Sequence, residues 1–87
     1  MKAVVTVIGK DMVGILAKVA SVCAEANANV LEVTQSVLDE YFAMVMLIDI
    51  TKLDSDINGL TQKLEATVPD MKVHVMHEDI FNSMHRI

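Results

Sequence analysis

Two strand-like runs in the sequence are separated by only two residues, Asp39 and Glu40. Val30 to Leu38 and Tyr41 to Ile50 are rich in β-branched and apolar side chains, which is typical of strands. An interval of two residues joins antiparallel strands directly, because parallel strands need a crossover of a dozen residues or more. The sequence therefore predicts a β-hairpin.

The two-residue turn also sets the register of the hairpin. One face is predicted to carry four opposed pairs, most of them apolar: Val37 with Phe42, Gln35 with Met44, Val33 with Met46, and Leu31 with Ile48. The other face is mixed: Ser36 with Ala43, Thr34 with Val45, and Glu32 with Leu47. We expect the apolar face to pack against helices. A bulge at the turn would instead move the register by one residue and exchange the two faces.

Helical patterns lie on both sides of the hairpin. The first has apolar residues at the spacing of one helix face: Ile15, Val19, Val22, Cys23 and Ala26. Asn27 to Asn29 ends this helix, because Asn tolerates the left-handed conformation common after a helix C-terminus. The second helix has its own stripe: Ile57, Leu60, Leu64 and Val68. We expect Asp54 or Ser55 to cap it and Pro69 to stop it.

Two further strands complete the pattern. Lys2 to Ile8 is β-branched and bounded by Gly9, and Met71 to Met76 has alternating apolar residues. The tail from Asp79 to Ile87 has apolar residues at helical spacing and predicts a short C-terminal helix. The element order is thus βαββαβ in a single domain, residues 1–87, which is an α+β fold of the ferredoxin-like type. We expect a four-stranded antiparallel sheet with two helices on one face.

The opposite face of this sheet is predicted to be open. The first and third strands are apolar on both faces, over Val4 to Ile8 and Met44 to Leu47. If these strands are central, the open face exposes apolar area, which monomers usually avoid. We therefore expect a homodimer.

Composition argues against several classes of function. Seven Lys and Arg residues are outnumbered by twelve acids, giving a formal net charge of -5, whereas nucleic-acid binding depends on cations that neutralise phosphates. Few aromatic residues are available for base stacking: Tyr41, Phe42 and Phe81. No apolar run approaches the ~20 residues that span a bilayer. We expect a cytoplasmic protein that binds neither nucleic acid nor membrane, with its one cysteine, Cys23, in the core.

The turn between the first strand and the first helix is the most informative segment. Gly9 and Gly14 allow backbone conformations closed to other residues. Gly14 stands where a helix begins, and the free N–H groups there suit a carboxylate or phosphate. The turn is not a P-loop, because Ile15 and Leu16 occupy the positions of the required Lys and Ser or Thr. The alternative is a purely structural turn with Asp11 as a local cap.

Patterns for metal binding and catalysis are weaker. Asp54 to Glu65 satisfies the EF-hand loop pattern, but a strand precedes it where an EF-hand has a helix, and a helical stripe runs through it. His74 and His77 are three apart on a strand and point to opposite faces, so they cannot easily share an ion. No catalytic set and no cofactor motif is evident. We expect no metal, no cofactor and no enzymatic activity.

The turn and its surroundings resemble the ACT domain, a βαββαβ module attached to amino-acid-regulated enzymes and transcription regulators. The resemblance spans essentially the whole chain, and its most specific residues are Gly9 to Leu16, Val19, Ala24, Glu25, Asn29, Val30 and Gln35. Gln35 to Phe42 and the ending Ile80 to Met84 resemble more closely a group of stand-alone ACT proteins without an assigned function. Met12 and Val13 stand where Arg and Pro are common in the family.

The resemblance implies binding rather than chemistry. In the family, an amino acid often lies between the first strand–helix turn of one subunit and the start of the second strand of its neighbour. Carried onto this sequence, the contacts are Lys10, Asp11, Met12, Val13, Gly14, Ile15, Asn29 and Val30. We expect a homodimeric regulatory module that binds an amino acid and signals to a protein partner. The alternative is a ligand-free interaction module that holds its partner through the open sheet face or the terminal helix.

Overall fold

The computed structural model describes residues 1–10 and 14–84. The elements in chain order are β1 (Lys2–Gly9), α1 (Ile15–Glu25), β2 (Asn29–Leu38), β3 (Tyr41–Asp49), α2 (Ile57–Thr67), β4 (Lys72–His77) and α3 (Glu78–Met84). The four strands form one antiparallel sheet in the order β2-β3-β1-β4. The predicted ferredoxin-like fold is confirmed, with β1 and β3 in the centre.

The core lies between the two long helices and one face of the sheet. The central strands contribute alternate residues, as the pleat of a strand requires: Ala3, Val5, Val7, Phe42, Met44, Met46 and Ile48. The helices contribute the predicted stripes: Ile15, Val19, Cys23, Leu60 and Leu64. Burial raises the pKa of the Cys23 thiol, so Cys23 is a core group, as predicted.

The hairpin register is confirmed from Leu38, which is opposite Tyr41, as far as Glu32, which is opposite Leu47. The next predicted pair is wrong, because Val30 rather than Leu31 lies opposite Ile48. A β-bulge between Val30 and Glu32 inserts one extra residue in β2. Val30 packs against the core in its place, and Leu31 is 41% exposed.

The C-terminal end of α1 and the N-terminal end of α2 are each set by a capping residue. After α1, the Asn27 N–H donates to Ala24 O and the Ala28 N–H to Cys23 O, with Asn27 at a φ of 63°. This is a Schellman motif with Asn27 as the left-handed residue, and it confirms that the segment starting at Asn27 ends the helix. The predicted cap of α2 is wrong: Asp56, not Asp54 or Ser55, accepts from the Gly59 N–H at 2.7 Å. Asp56 is the residue directly before the first helical turn, so its carboxylate alone reaches that N–H group.

The other sheet face is partly covered by α3. Val4 is only 4% exposed although it is not part of the main core, and α3 contacts β1 and β4. We attribute the burial of Val4 to α3. The rest of this face remains open, with Ile8 44% and Tyr41 47% exposed. The predicted end of the terminal helix, residues 85–87, lies outside the described residues.

The described helices include none with the length and apolar character needed to cross a bilayer.

Candidate functional site

The turn after β1 contains two glycines, and each position requires glycine for a different structural reason. At Gly9, a side-chain Cβ would overlap Sδ of Met71, so this glycine lets the end of β1 pack closely against the residue before β4. At Gly14, no atom of the described residues lies within 4 Å of a Cβ, but φ is +71°. This is the left-handed region that glycine adopts without strain.

Gly14 is also the N-cap of α1. Its carbonyl accepts the first helical hydrogen bond, from the Lys18 N–H at 3.0 Å. Gly14 has no side chain to cap the helix, and the first turn of α1 contains no acidic residue. Within the described residues, no side chain therefore caps this helix end, and the positive potential of its N–H groups favours an anion.

Two other predicted turn residues differ in their exposure. Lys10 is exposed, whereas Ile15 is buried in the core, where α1 meets the sheet. Ile15 can therefore present its backbone, but not its side chain, to a ligand. The predicted contacts Asp11, Met12 and Val13 lie outside the described residues.

Asn29 and Val30 lie at the other end of the sheet from this turn. Asn29 is opposite Asp49 on β3, and Asp49 is opposite Lys2, the first residue of β1. Gly9 is the last residue of β1. From Lys2 to Gly9 a strand extends about 23 Å. A single chain therefore does not bring the two halves of the predicted site together.

Two cavities lie near the predicted residues. The first, which we call the open-face pocket, has a volume of about 390 Å³ and is lined by Ile8, Gly9, Lys10, Tyr41, Asp70 and Lys72. The second, which we call the β2-start pocket, has a volume of about 310 Å³ and is lined by Asn27, Asn29, Asp49, Thr51 and Lys52. Both volumes are in the range of small-molecule sites.

The β2-start pocket contains a carboxylate held in its charged form. The Thr51 N–H donates to Asp49 Oδ1 at 2.9 Å. Hydrogen bonds from the Thr51 side chain and backbone lower the pKa of the Asp49 carboxyl. An ionised Asp49 beside the Asn29 amide gives this end of the sheet groups that suit an ammonium ion.

The side chain of Lys10 is held by the hairpin turn. Its Nζ lies 3.9 Å from Glu40 Oε2 and 5.7 Å from the centre of the Tyr41 ring. This contact could not be predicted from the sequence, nor could the presence of Asp49, Asp70 and Lys72 in the two pockets. These residues come together through pairing between distant strands, so no local sequence pattern could indicate their contacts.

The weaker patterns have structural explanations. A strand, Tyr41–Asp49, precedes the EF-hand-like segment, and the carboxylate of Asp56 is bound to the helix it caps. His74 lies opposite Thr6 and His77 opposite Ala3, so the two side chains are on different faces of β4. Among the described residues, no three His, Cys, Asp or Glu side chains are grouped closely enough to hold a metal ion.

Comparison with known proteins agrees with this architecture. A UPF0237 protein of Clostridium perfringens is 46% identical, and a UPF0237 protein of Methanocaldococcus jannaschii is also 46% identical. The first alignment covers 100% of both chains, and the second covers 99% of this chain and 98% of its relative. An ACT domain protein from Streptococcus pneumoniae has a similar structure, with a TM-score of 0.79, 36% identity and 93% coverage of each chain.

The sequence pattern of the ACT domain family matches residues 2–78, from the start of β1 to the start of α3. This span contains the glycine-bounded turn, the hairpin and both long helices. The chain therefore belongs to the ACT domain family.

Proposed function

We propose that this ACT domain is a non-enzymatic regulatory module, which acts as a cytoplasmic homodimer and binds an amino acid between its two copies. The observation that carries the proposal is the separation of the two halves of the predicted site. Because a two-fold dimer repeats each contact with the roles exchanged, the turn of one copy can adjoin the β2-start pocket of the other. Such a dimer would form two equivalent sites.

The chemistry of the two halves is complementary to an amino acid. The N–H groups at the start of α1 suit a carboxylate, and Lys10, in the same predicted turn, supplies a cation. The β2-start pocket offers the Asn29 amide and the ionised Asp49, which suit the ammonium group. Lys10 to Ile15 would thus bind one end of the ligand, and Asn29 and Val30 the other.

A thermal-shift screen of the twenty amino acids tests this proposal. A ligand at 100 times its Kd stabilises the native state by about 2.7 kcal/mol, which is a shift of several degrees for a domain of this size. We expect one amino acid, or a chemically related few, to raise the Tm, and Asn29→Ala to remove the shift. If no amino acid raised the Tm at saturating concentration, the ligand-binding function would be rejected.

A ligand-free interaction module is the second candidate, and the exposed apolar residues of the open face favour it. Ile8, Tyr41 and Val45 lie on the sheet face away from the two long helices and are all exposed. Truncation after Glu78 tests the part played by the tail. Loss of a partner, with the amino-acid response and the circular dichroism spectrum unchanged, would indicate that the tail holds the partner.

A further inference from the structure

We propose that the open-face pocket is a second ligand site, separate from the site between two copies, for a small carboxylate with an apolar body. Its position follows from the strand register. Phe42 and Val73 point into the core, so their neighbours Tyr41 and Lys72 point to the opposite face. Ile8 lies directly opposite Lys72 on β4.

The floor and one wall of the pocket are apolar. Ile8, on a central strand, is 44% exposed, and Tyr41, on the neighbouring strand, is 47% exposed. Ala43, opposite Ile8 on β3, is small and leaves room between them. A ring or branched chain placed here would bury apolar area that is otherwise in contact with water. Strand pairing fixes the backbone positions of both residues.

The charged residues of the pocket define the other end of the ligand. Lys72 stands opposite Ile8, and none of the described residues forms an ion pair with it. Lys10 is held above Tyr41, where Glu40 already balances its charge. One carboxylate beside Lys72 matches this arrangement. The carboxylate of Asp70, which also lines the pocket, repels any anion, and it repels a phosphate or a dicarboxylate more strongly than a ligand with a single negative charge.

Two probes of equal size test the proposal on the full chain: phenylacetate and 2-phenylethylamine. They share the phenyl ring and the short linker but carry opposite charges. In a two-dimensional NMR titration, we expect phenylacetate to give saturable shifts at the amides of Ile8, Tyr41 and Lys72. The amine should bind more weakly, because Lys72 repels its ammonium group and the amine lacks the carboxylate that Lys72 binds.

The matched variants are Lys72→Gln and Lys52→Gln. We expect Lys72→Gln to weaken phenylacetate binding about five-fold, the scale of a partly exposed charge contact. Lys52→Gln should bind as the unchanged protein does, because Lys52 lines the β2-start pocket instead. Asn29→Ala should also bind normally, which separates this proposal from the site between two copies.

Three results would overturn the proposal. The first is the absence of saturable shifts up to about 10 mM phenylacetate, where even a millimolar Kd would be visible. The second is equal binding of 2-phenylethylamine. The third is unchanged binding in Lys72→Gln, which would show that its ammonium group does not hold the carboxylate.

Discussion

Lys10 Nζ lies 3.9 Å from Glu40 Oε2, so the residue that follows β1 is paired with the turn of the β2–β3 hairpin. Both side chains are more than half exposed. The pair therefore contributes little to the free energy of unfolding. It does, however, engage the ammonium group of Lys10, which is predicted to contact a ligand. A bound carboxylate and Glu40 would compete for the same ammonium group.

Glu40→Gln should increase the affinity for the amino acid that the screen identifies, because Lys10 is released from its internal partner. The free energy of unfolding should change by less than about 1 kcal/mol. Calorimetric titration and urea unfolding measure the two effects. Glu25→Gln, at the exposed end of α1, is the matched control and should change neither. Unchanged or weaker binding in Glu40→Gln would contradict competition between Glu40 and the ligand for Lys10.

The cap of α2 can be tested at neighbouring carboxylates. Asp56→Ala should lower the free energy of unfolding by about 1 kcal/mol, because the Gly59 N–H loses its acceptor at the helix start. Asp54→Ala should cost less than about 0.5 kcal/mol, as surface substitutions usually do. Urea unfolding at neutral pH gives both values. Equal losses at the two positions would contradict the assignment of Asp56 as the cap.

The left-handed conformation of Gly14 predicts a penalty for any side chain there. Gly14→Ala should destabilise the domain by about 1–2 kcal/mol, since an L-residue is strained at a φ of +71°. Asn27→Gly is the complementary change, at another residue with positive φ. It should leave stability within about 0.5 kcal/mol, because glycine adopts this conformation readily. Thermal unfolding compares the two variants. A harmless Gly14→Ala would show that this turn does not need a left-handed residue.

The ionisation of Asp49 depends on Thr51. Since the folded-state pKa of Asp49 is lowered, its contribution to stability is present above the unfolded pKa and is lost as pH falls through the folded pKa. Thr51→Val removes the side-chain hydrogen bond but keeps the backbone N–H donor. It should raise the pKa of Asp49 part of the way towards its ordinary value. An NMR titration of the carboxyl carbon measures this change, with Thr34→Val as the control. No change in Thr51→Val would mean that the hydroxyl does not stabilise the carboxylate.

The hairpin illustrates what the sequence could predict and where it failed. Its two-residue turn fixed the pairing from Leu38 to Glu32, because register propagates without further information along a regular ladder. The bulge at Leu31 left no signal, since Val30 and Leu31 are both apolar and either could fill the core position. The prediction of the helix cap was wrong for a similar reason. Asp54, Ser55 and Asp56 are all residue types that cap helices, and only the position of the first helical residue distinguishes them.

The candidate site was predicted less completely than the fold. The glycine turn and Asn29 could be identified from the sequence because each is a local feature. Asp49, Tyr41 and Lys72 could not, because they approach these features only through strand pairing between distant segments. Nor could spacing alone indicate that the turn and Asn29 lie at opposite ends of one sheet.

A subunit-mixing experiment tests whether two copies complete one ligand site. Asp11→Ala alters the turn and Asn29→Ala alters the start of β2, so each variant alone should not bind the amino acid. After the two variants exchange subunits at equal amounts, half of the dimers are mixed and each mixed dimer contains one intact site. Calorimetry should then recover about a quarter of the original binding capacity. If the mixture bound no ligand although subunits had exchanged, the site would not be shared between two copies.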